Sequence, residues 1–96
     1  MSRTFALLSN ATATGSAHRW PGGRGTFEVD GSFDGATVTL QKLGPDGTNY
    51  LSLGTDAALT AEGVINFDLP PCHIRALVAG GSPNGMYATA TKIGEV

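Results

Sequence analysis

Apolar and polar residues alternate in short runs along most of this chain. In TFEVD, Phe27 and Val29 alternate with polar neighbours, and residues 65–69 repeat the pattern as INFDL. A period of two places every second side chain on the same face of a β-strand. The spacing of an amphipathic helix does not occur over any window of about eleven residues without an interruption by Gly, Pro or a Thr/Val cluster. The pattern therefore predicts an all-β chain.

Residues that favour turns separate these runs at intervals of about ten residues, as in all-β domains. The strongest turn signal is LGPDGT, in which Pro45 restricts φ, Asp46 can bond its own backbone and Gly47 tolerates a positive φ. It predicts a hairpin, and Pro70 and Pro71 end a later strand because proline has no backbone N–H to donate. The predicted strands cover residues 3–9, 26–33, 36–43, 49–53, 58–60, 64–69, 73–79 and 86–93, with a long loop at 10–25.

These short strands, in a chain of 96 residues, predict one domain. We expect a single antiparallel β-sandwich of jelly-roll or immunoglobulin-like type. Residues 1–24 would form an N-terminal strand and a glycine-rich arm, and residues 25–96 would form the sandwich. A chain of this length buries only about two-thirds of its unfolded surface, so self-association would add stability.

The charge pattern argues against several classes of partner. Charged residues make up 15 % of the chain, the net charge is −2, and no segment concentrates Lys or Arg, so we expect no nucleic acid partner. The N-terminal residues lack the apolar run of about seven residues that a signal peptide needs and the run of about twenty that a spanning helix needs. We therefore expect no membrane partner.

Sequence motifs for catalysis or metal binding are missing. Cys72 is the single cysteine, so it has no internal disulfide partner, and we expect a reducing compartment. Cys72 and His73 are adjacent in a predicted strand and so point to opposite faces, which disfavours a thiolate–imidazole pair. His18 and His73 have no Asp or Glu at ligand spacing, and the serines lack a GxSxG elbow. We expect no enzymatic activity, no cofactor and no metal.

The stretch GSAHRWPGGRG, residues 15–25, contains the single tryptophan. Its GGRG does not match a phosphate-binding pattern, and it leads into a strand instead of a helix. Trp20 beside Arg19 or Arg24 is a combination enriched at interface hot spots, but Trp20 could equally cap the core of its own domain. The candidate interface residues are His18, Arg19, Trp20 and Arg24 from this stretch, and Asn84, Met86 and Tyr87 near the second glycine-rich loop.

Three blocks within residues 23–90 resemble small virion proteins of tailed bacteriophages. They are FEVDGSFDGATVTLQKLGPDGTNYLSLG, GVINFDLP and IRALVAGGSPNGMYA. The proteins they resemble are capsid decoration, cement or short head-fibre proteins. The resemblance implies a homotrimeric β-sandwich on the outer surface of the capsid, assembled in the host cytoplasm and bound to neighbouring subunits of the major capsid protein.

A second interpretation remains open at this point. A head-fibre, tail-fibre or carbohydrate-binding module attaching to a host surface would also be an all-β domain without catalytic motifs. Sugar binding needs exposed aromatic faces close together, and Trp20, Tyr50 and Tyr87 are the amphipathic candidates. The two expectations are thus a decoration protein and, as the alternative, a module with a glycan partner.

Overall fold

The fold is described by a computed structural model that covers residues 4–54 and 57–93. These residues contain β-strands and no α-helix, as the alternating pattern predicts. The strands are β1 (Thr4–Ala11), β2 (His18–Trp20), β3 (Gly23–Ser32), β4 (Thr37–Leu43), β5 (Tyr50–Ser52), β6 (Ala58–Leu59), β7 (Gly63–Leu69), β8 (Cys72–Ala79) and β9 (Asn84–Lys92).

The strands form two antiparallel sheets that pack face to face. Sheet A has the order β1-β9-β3-β7, and sheet B has the order β2-β8-β4-β5, with β6 also paired to β4. The chain is folded like one long hairpin, since β1 pairs with β9, β2 with β8, β3 with β7 and β4 with β5. These nested pairs alternate between the two sheets, which is the order of a jelly roll. The predicted β-sandwich is confirmed. Of the two expected types, jelly roll and immunoglobulin-like, the strand order matches the jelly roll.

The core lies between the two sheets and is built from the inward residues of the alternating runs. Phe27 and Val29 of β3 are buried there, while Glu28 between them is exposed. The largest fully buried side chains are Trp20, Phe27, Leu40, Ile74, Met86 and Val38. Burial of one such side chain contributes about 1.5–3 kcal/mol, so these residues dominate the stability of the sandwich.

The segment at residues 10–25, predicted as a loop, is corrected by the structure. It contains β2, whose three residues pair with β8, and β3 already begins at Gly23. Between β1 and β2, the N–H of Val78 donates to Oγ1 of Thr14 at 3.0 Å, which ties this stretch to β8. A strand of three residues is too short to show a period of two, so only its pairing partner reveals it. Residues 4–24 therefore contribute a strand to each sheet.

The predicted hairpin after β4 is confirmed. Leu43 pairs with Tyr50, and Gly47 has a φ of 76°, a conformation that glycine tolerates best. Asp46 organises the turn, because its Oδ1 accepts the N–H groups of Thr48 at 2.9 Å and Asn49 at 3.0 Å. These two hydrogen bonds hold the pKa of the Asp46 carboxyl below its ordinary value.

Asp46 should make this hairpin weakly acid-sensitive. Its lowered pKa means that the carboxylate stabilises the fold above the unfolded-state pKa, and that this contribution is lost as the pH falls through the folded-state pKa. Thermal unfolding followed by circular dichroism should give Asp46→Asn a lower midpoint than the wild type at neutral pH. The two midpoints should converge once the pH is below the folded-state pKa of the carboxyl. A difference that persists unchanged in acid would contradict this role of the charge.

Candidate functional site

The outer face of sheet B carries a connected group of polar side chains. Arg75 of β8 lies opposite Gln41 of β4, which lies opposite Ser52 of β5. Nε of Arg75 donates to Oε1 of Gln41 at 2.9 Å, and Nε2 of Gln41 donates to Oγ of Ser52 at 3.3 Å. Cζ of Arg75 lies 4.1 Å from the centroid of the Tyr50 ring. We call Gln41, Tyr50, Ser52 and Arg75 the Arg75 network.

The network holds the guanidinium of Arg75 in place before any partner arrives. The side chain reaches from β8 across β4 to the ring on β5, and Gln41 beneath it is only 7 % exposed although it lies on the outer face. Within the described part of the chain, the hydrogen bond to Gln41 is the one that the guanidinium makes. The other N–H groups can bind a carboxylate in the bidentate arrangement that arginine favours. Because the side chain is already ordered, little entropy is lost on binding.

A second arginine and a histidine lie beside this network. Arg19 of β2 is exposed and pairs in register with His73 of β8, and His73 lies two residues before Arg75 and so on the same face. The strands of sheet B contain neither Asp nor Glu. We call the network together with Arg19 and His73 the Arg75 face. Such a face attracts negatively charged groups.

The outer face of sheet A has the opposite character. A groove of about 460 Å³ is lined there by the carboxylates Glu28, Asp30 and Glu62 together with Val64 and Tyr87. Oε2 of Glu62 accepts the N–H of Gly31 at 3.4 Å. Val64 is 59 % exposed and Tyr87 is 48 % exposed, so large apolar surfaces lie beside the carboxylates. We call these five residues the acidic groove.

Two residues predicted to lie at an interface are buried inside the domain. Trp20 and Met86 each have a relative exposure of 0 %. The Trp20 ring packs against Phe5 and Phe67, with centroid separations of 5.8 and 4.8 Å. Its burial agrees with the core alternative that the sequence had left open. Neither side chain can touch a partner unless the domain rearranges.

The other predicted interface residues are distributed over both sheets. Arg19 belongs to the Arg75 face, whereas half-buried His18 points to the inner side, opposite Ile74. On sheet A, exposed Arg24 pairs in register with Asp68, and exposed Asn84 begins β9. Tyr87 lines the acidic groove. The structure thus does not bring these seven candidates together on one surface.

The aromatic residues considered for sugar binding are also separated. Trp20 is in the core, Tyr50 is on the outer face of sheet B and Tyr87 is on the outer face of sheet A. One side of the Tyr50 ring is already covered by Arg75. These three residues therefore do not form a common stacking platform.

Cys72 and His73 point to opposite faces, as predicted. Cys72 pairs with inward-facing Trp20, and His73 pairs with Arg19 on the outside. Burial raises the pKa of the Cys72 thiol, although Lys42 and Arg19 oppose the shift. A raised pKa reduces the thiolate fraction, which is the nucleophilic form. The inward position and the raised pKa of Cys72 thus fit a packing role.

Side chains of the types that bind metal ions are scattered over residues 4–54 and 57–93. No set of three or more His, Cys, Asp or Glu side chains in these ranges is placed to hold one. The same ranges include no helix that is long and apolar enough to cross a membrane.

Arg75, the centre of the Arg75 face, was not among the residues predicted from the sequence. His73 and Arg75 alternate with buried residues along β8 and therefore point outward, and this alternation can be seen in the sequence. Their contact with Gln41 was not readable, because it depends on the pairing of β8 with β4 across 34 positions. Comparison of the chain with protein-family models, with curated proteins and with solved structures found no match in any of the three.

Proposed function

We propose that this chain is a non-enzymatic structural protein that binds protein subunits through the Arg75 face. The setting we propose is the one implied by the sequence resemblance: a homotrimeric decoration or cement protein on the outer surface of a tailed-phage capsid, which holds neighbouring capsid subunits together. The observation that carries the proposal is the pre-ordered guanidinium of Arg75, which makes one hydrogen bond, to Gln41, among the residues that the structure describes.

The composition of the Arg75 face favours a protein partner. Arginine and tyrosine are enriched at the centres of protein interfaces, where lysine and carboxylates are depleted. Arg75 and Tyr50 stack at 4.1 Å on this face, and the strands beneath them carry no carboxylate. The chemistry calls for a partner surface that offers at least one carboxylate to the guanidinium.

The glycan-binding alternative receives less support from the same face. Jelly rolls occur both in viral capsid proteins and in lectins, so the fold alone does not separate the two functions. A sugar would need an open aromatic face, and the Tyr50 ring already stacks with Arg75. Tyr87 is on the other sheet and cannot contribute to the same site.

Replacing Arg75 by alanine should weaken capsid binding at least about tenfold, since a hydrogen bond to a charged group is worth about 1.5–3 kcal/mol. The assay would add the purified chain to capsids of the encoding phage that lack it, and would measure co-sedimentation and the heat stability of the particles. Arg24→Ala is the matched control, because Arg24 is an exposed arginine on sheet A. The control should bind within about twofold of the wild type.

Three other results would contradict the proposal or change it. Wild-type protein that neither binds the capsids nor raises their heat stability would refute the decoration role. Binding lost in Arg24→Ala but kept in Arg75→Ala would move the interface to sheet A. Binding to a glycan array that disappears in Tyr50→Ala would establish the alternative function.

A further inference from the structure

The outside of the sandwich carries an acidic surface on one sheet and a basic surface on the other. Glu28, Asp30 and Glu62 line the acidic groove on sheet A, and no cationic side chain lines it with them. On sheet B, Arg19, His73 and Arg75 are not interrupted by a carboxylate in any strand. The described part of the molecule therefore presents two surfaces of opposite charge.

The two surfaces lie on opposite sides of the sandwich and toward opposite ends. Gly22, just before β3, lies beside Pro71, just before β8, so the starts of these strands share one end. His73 and Arg75 are near that end, whereas Asp30 is close to the other end of β3. The acidic groove and the Arg75 face therefore cannot both contact one neighbour in a twofold pair. A contact between them joins different patches and is heterologous.

The two surfaces also match in chemistry beyond charge. The acidic groove offers the exposed apolar groups of Val64 and Tyr87 beside its carboxylates. The Arg75 face offers a guanidinium that lies over the Tyr50 ring and, in ranges 4–54 and 57–93, donates one hydrogen bond, to Gln41. Carboxylates are the preferred bidentate partners of such a guanidinium, and apolar contact around them would exclude water.

The faces are large enough for a stable contact. The domain measures 37 × 32 × 21 Å, and two packed sheets account for the shortest dimension. A broad face of this size can supply the roughly 800 Å² per partner that a standard interface buries.

We infer that the Arg75 face of one copy docks onto the acidic groove of a second copy, so that the chain associates head to tail with itself. The inference rests on the proposed function, because it names a second copy of the chain as one of the protein subunits that this face binds. A heterologous contact of this kind closes into a ring or continues as an open chain of copies. Because the two surfaces lie on opposite sides of the sandwich, the contact continues as an open chain, and a homotrimer would be a row of three copies whose terminal copy keeps its Arg75 face free for a capsid subunit.

Charge reversal tests this contact in a way that separates it from other modes of association. Glu28→Lys/Glu62→Lys makes both surfaces basic, and Arg19→Glu/Arg75→Glu makes both acidic. Each variant alone should be monomeric, whereas an equal mixture should associate again, since each variant then supplies the surface that the other lacks. Mass photometry and sedimentation velocity would be run from about 1 µM to about 200 µM, a range that covers weak and moderate interfaces.

The controls address folding and charge. Asp68→Lys changes the charge on β7 outside the acidic groove and should associate like the wild type. Arg19→Glu/His73→Glu leaves the Arg75 network intact and replaces the second variant if Arg75→Glu disturbs the fold. Circular dichroism would verify that each variant is folded. For the wild type, raising NaCl from about 0.05 M to about 0.5 M should weaken association at least about tenfold.

Three results would overturn the inference: a wild type that is monomeric over the whole range, single variants that still associate, or a mixture that stays monomeric. Capsid binding by a strictly monomeric wild type would refute this inference and the proposed homotrimer, and would leave the proposed binding of capsid subunits through the Arg75 face standing. Head-to-tail association with restoration in the mixture, but without capsid binding, would refute the proposed function and leave the self-association in place.

Discussion

Trp20→Ala should lower the free energy of unfolding by about 3–5 kcal/mol, the range for truncating a large buried aromatic residue. Trp20 has a relative exposure of 0 % and packs between Phe5 and Phe67. Its Nε1 also donates to the carbonyl of Gly23 at 3.3 Å, so the substitution removes a hydrogen bond as well as the ring. For a domain of this size the whole stability is on the order of 5–15 kcal/mol, and the loss would be a large part of it.

Chemical denaturation followed by far-ultraviolet circular dichroism would measure this loss, because that signal comes from the backbone and not from the tryptophan. Trp20→Phe serves as the conservative comparison and should cost less, because it keeps an aromatic ring in the cavity. The function of each variant would be compared under conditions in which it is folded. Capsid binding per folded molecule should then be unchanged, since the ring reaches no surface. A stable Trp20→Ala protein that fails to bind would show that Trp20 is an interface anchor after all.

Gly25→Ala should be the second costly substitution, at about 1–3 kcal/mol, because it overpacks the core against Trp20. A Cβ at Gly25 would lie 2.5 Å from Cη2 of Trp20 and 2.9 Å from Cζ of Phe67. Both neighbours are buried, so neither ring can move away without opening the core. Gly25 is therefore required by the close approach of the tryptophan ring to β3.

A double-mutant cycle with Trp20→Phe gives this prediction a specific signature. The smaller ring lacks the atoms nearest to the new methyl group, so Gly25→Ala should cost less in that background, with a coupling of about 0.5–3 kcal/mol. Gly63→Ala is the matched control, since a Cβ there has its nearest neighbours at 3.8 Å. Additive costs in the cycle, or an equal cost at Gly63, would argue against steric conflict with Trp20.

The stretch GSAHRWPGGRG shows where inference from local sequence stops. Its apolar residues are too few to display a period, so Trp20 could be placed either in the core or at an interface. The decision comes from β2, whose pairing with β8 places Trp20 opposite Cys72 and directs it inward. The neighbours that enclose the ring, Phe5 and Phe67, belong to strands far away in the sequence.

The candidate site was less predictable than the fold for the same reason. Arg19 was identified because it lies beside Trp20, but it belongs to a surface whose centre is Arg75. Tyr50 was considered as a sugar platform, and its ring instead stacks with the guanidinium of Arg75. Side chains that meet across three strands cannot be grouped until the strand order is known.

The sequence by itself determined the all-β class, the alternation that separates Phe27 and Val29 from Glu28, and the hairpin organised by Asp46. Each of these depends on residues within a few positions of one another, where strand period and turn chemistry act. The tertiary structure alone decided the nested pairing of the strands, the burial of Trp20 and the placement of the acidic groove and the Arg75 face on opposite outer faces. These features arise from contacts between distant strands, and the pairing of β4 with β8 and of β3 with β9 is specified by the packing of the whole core.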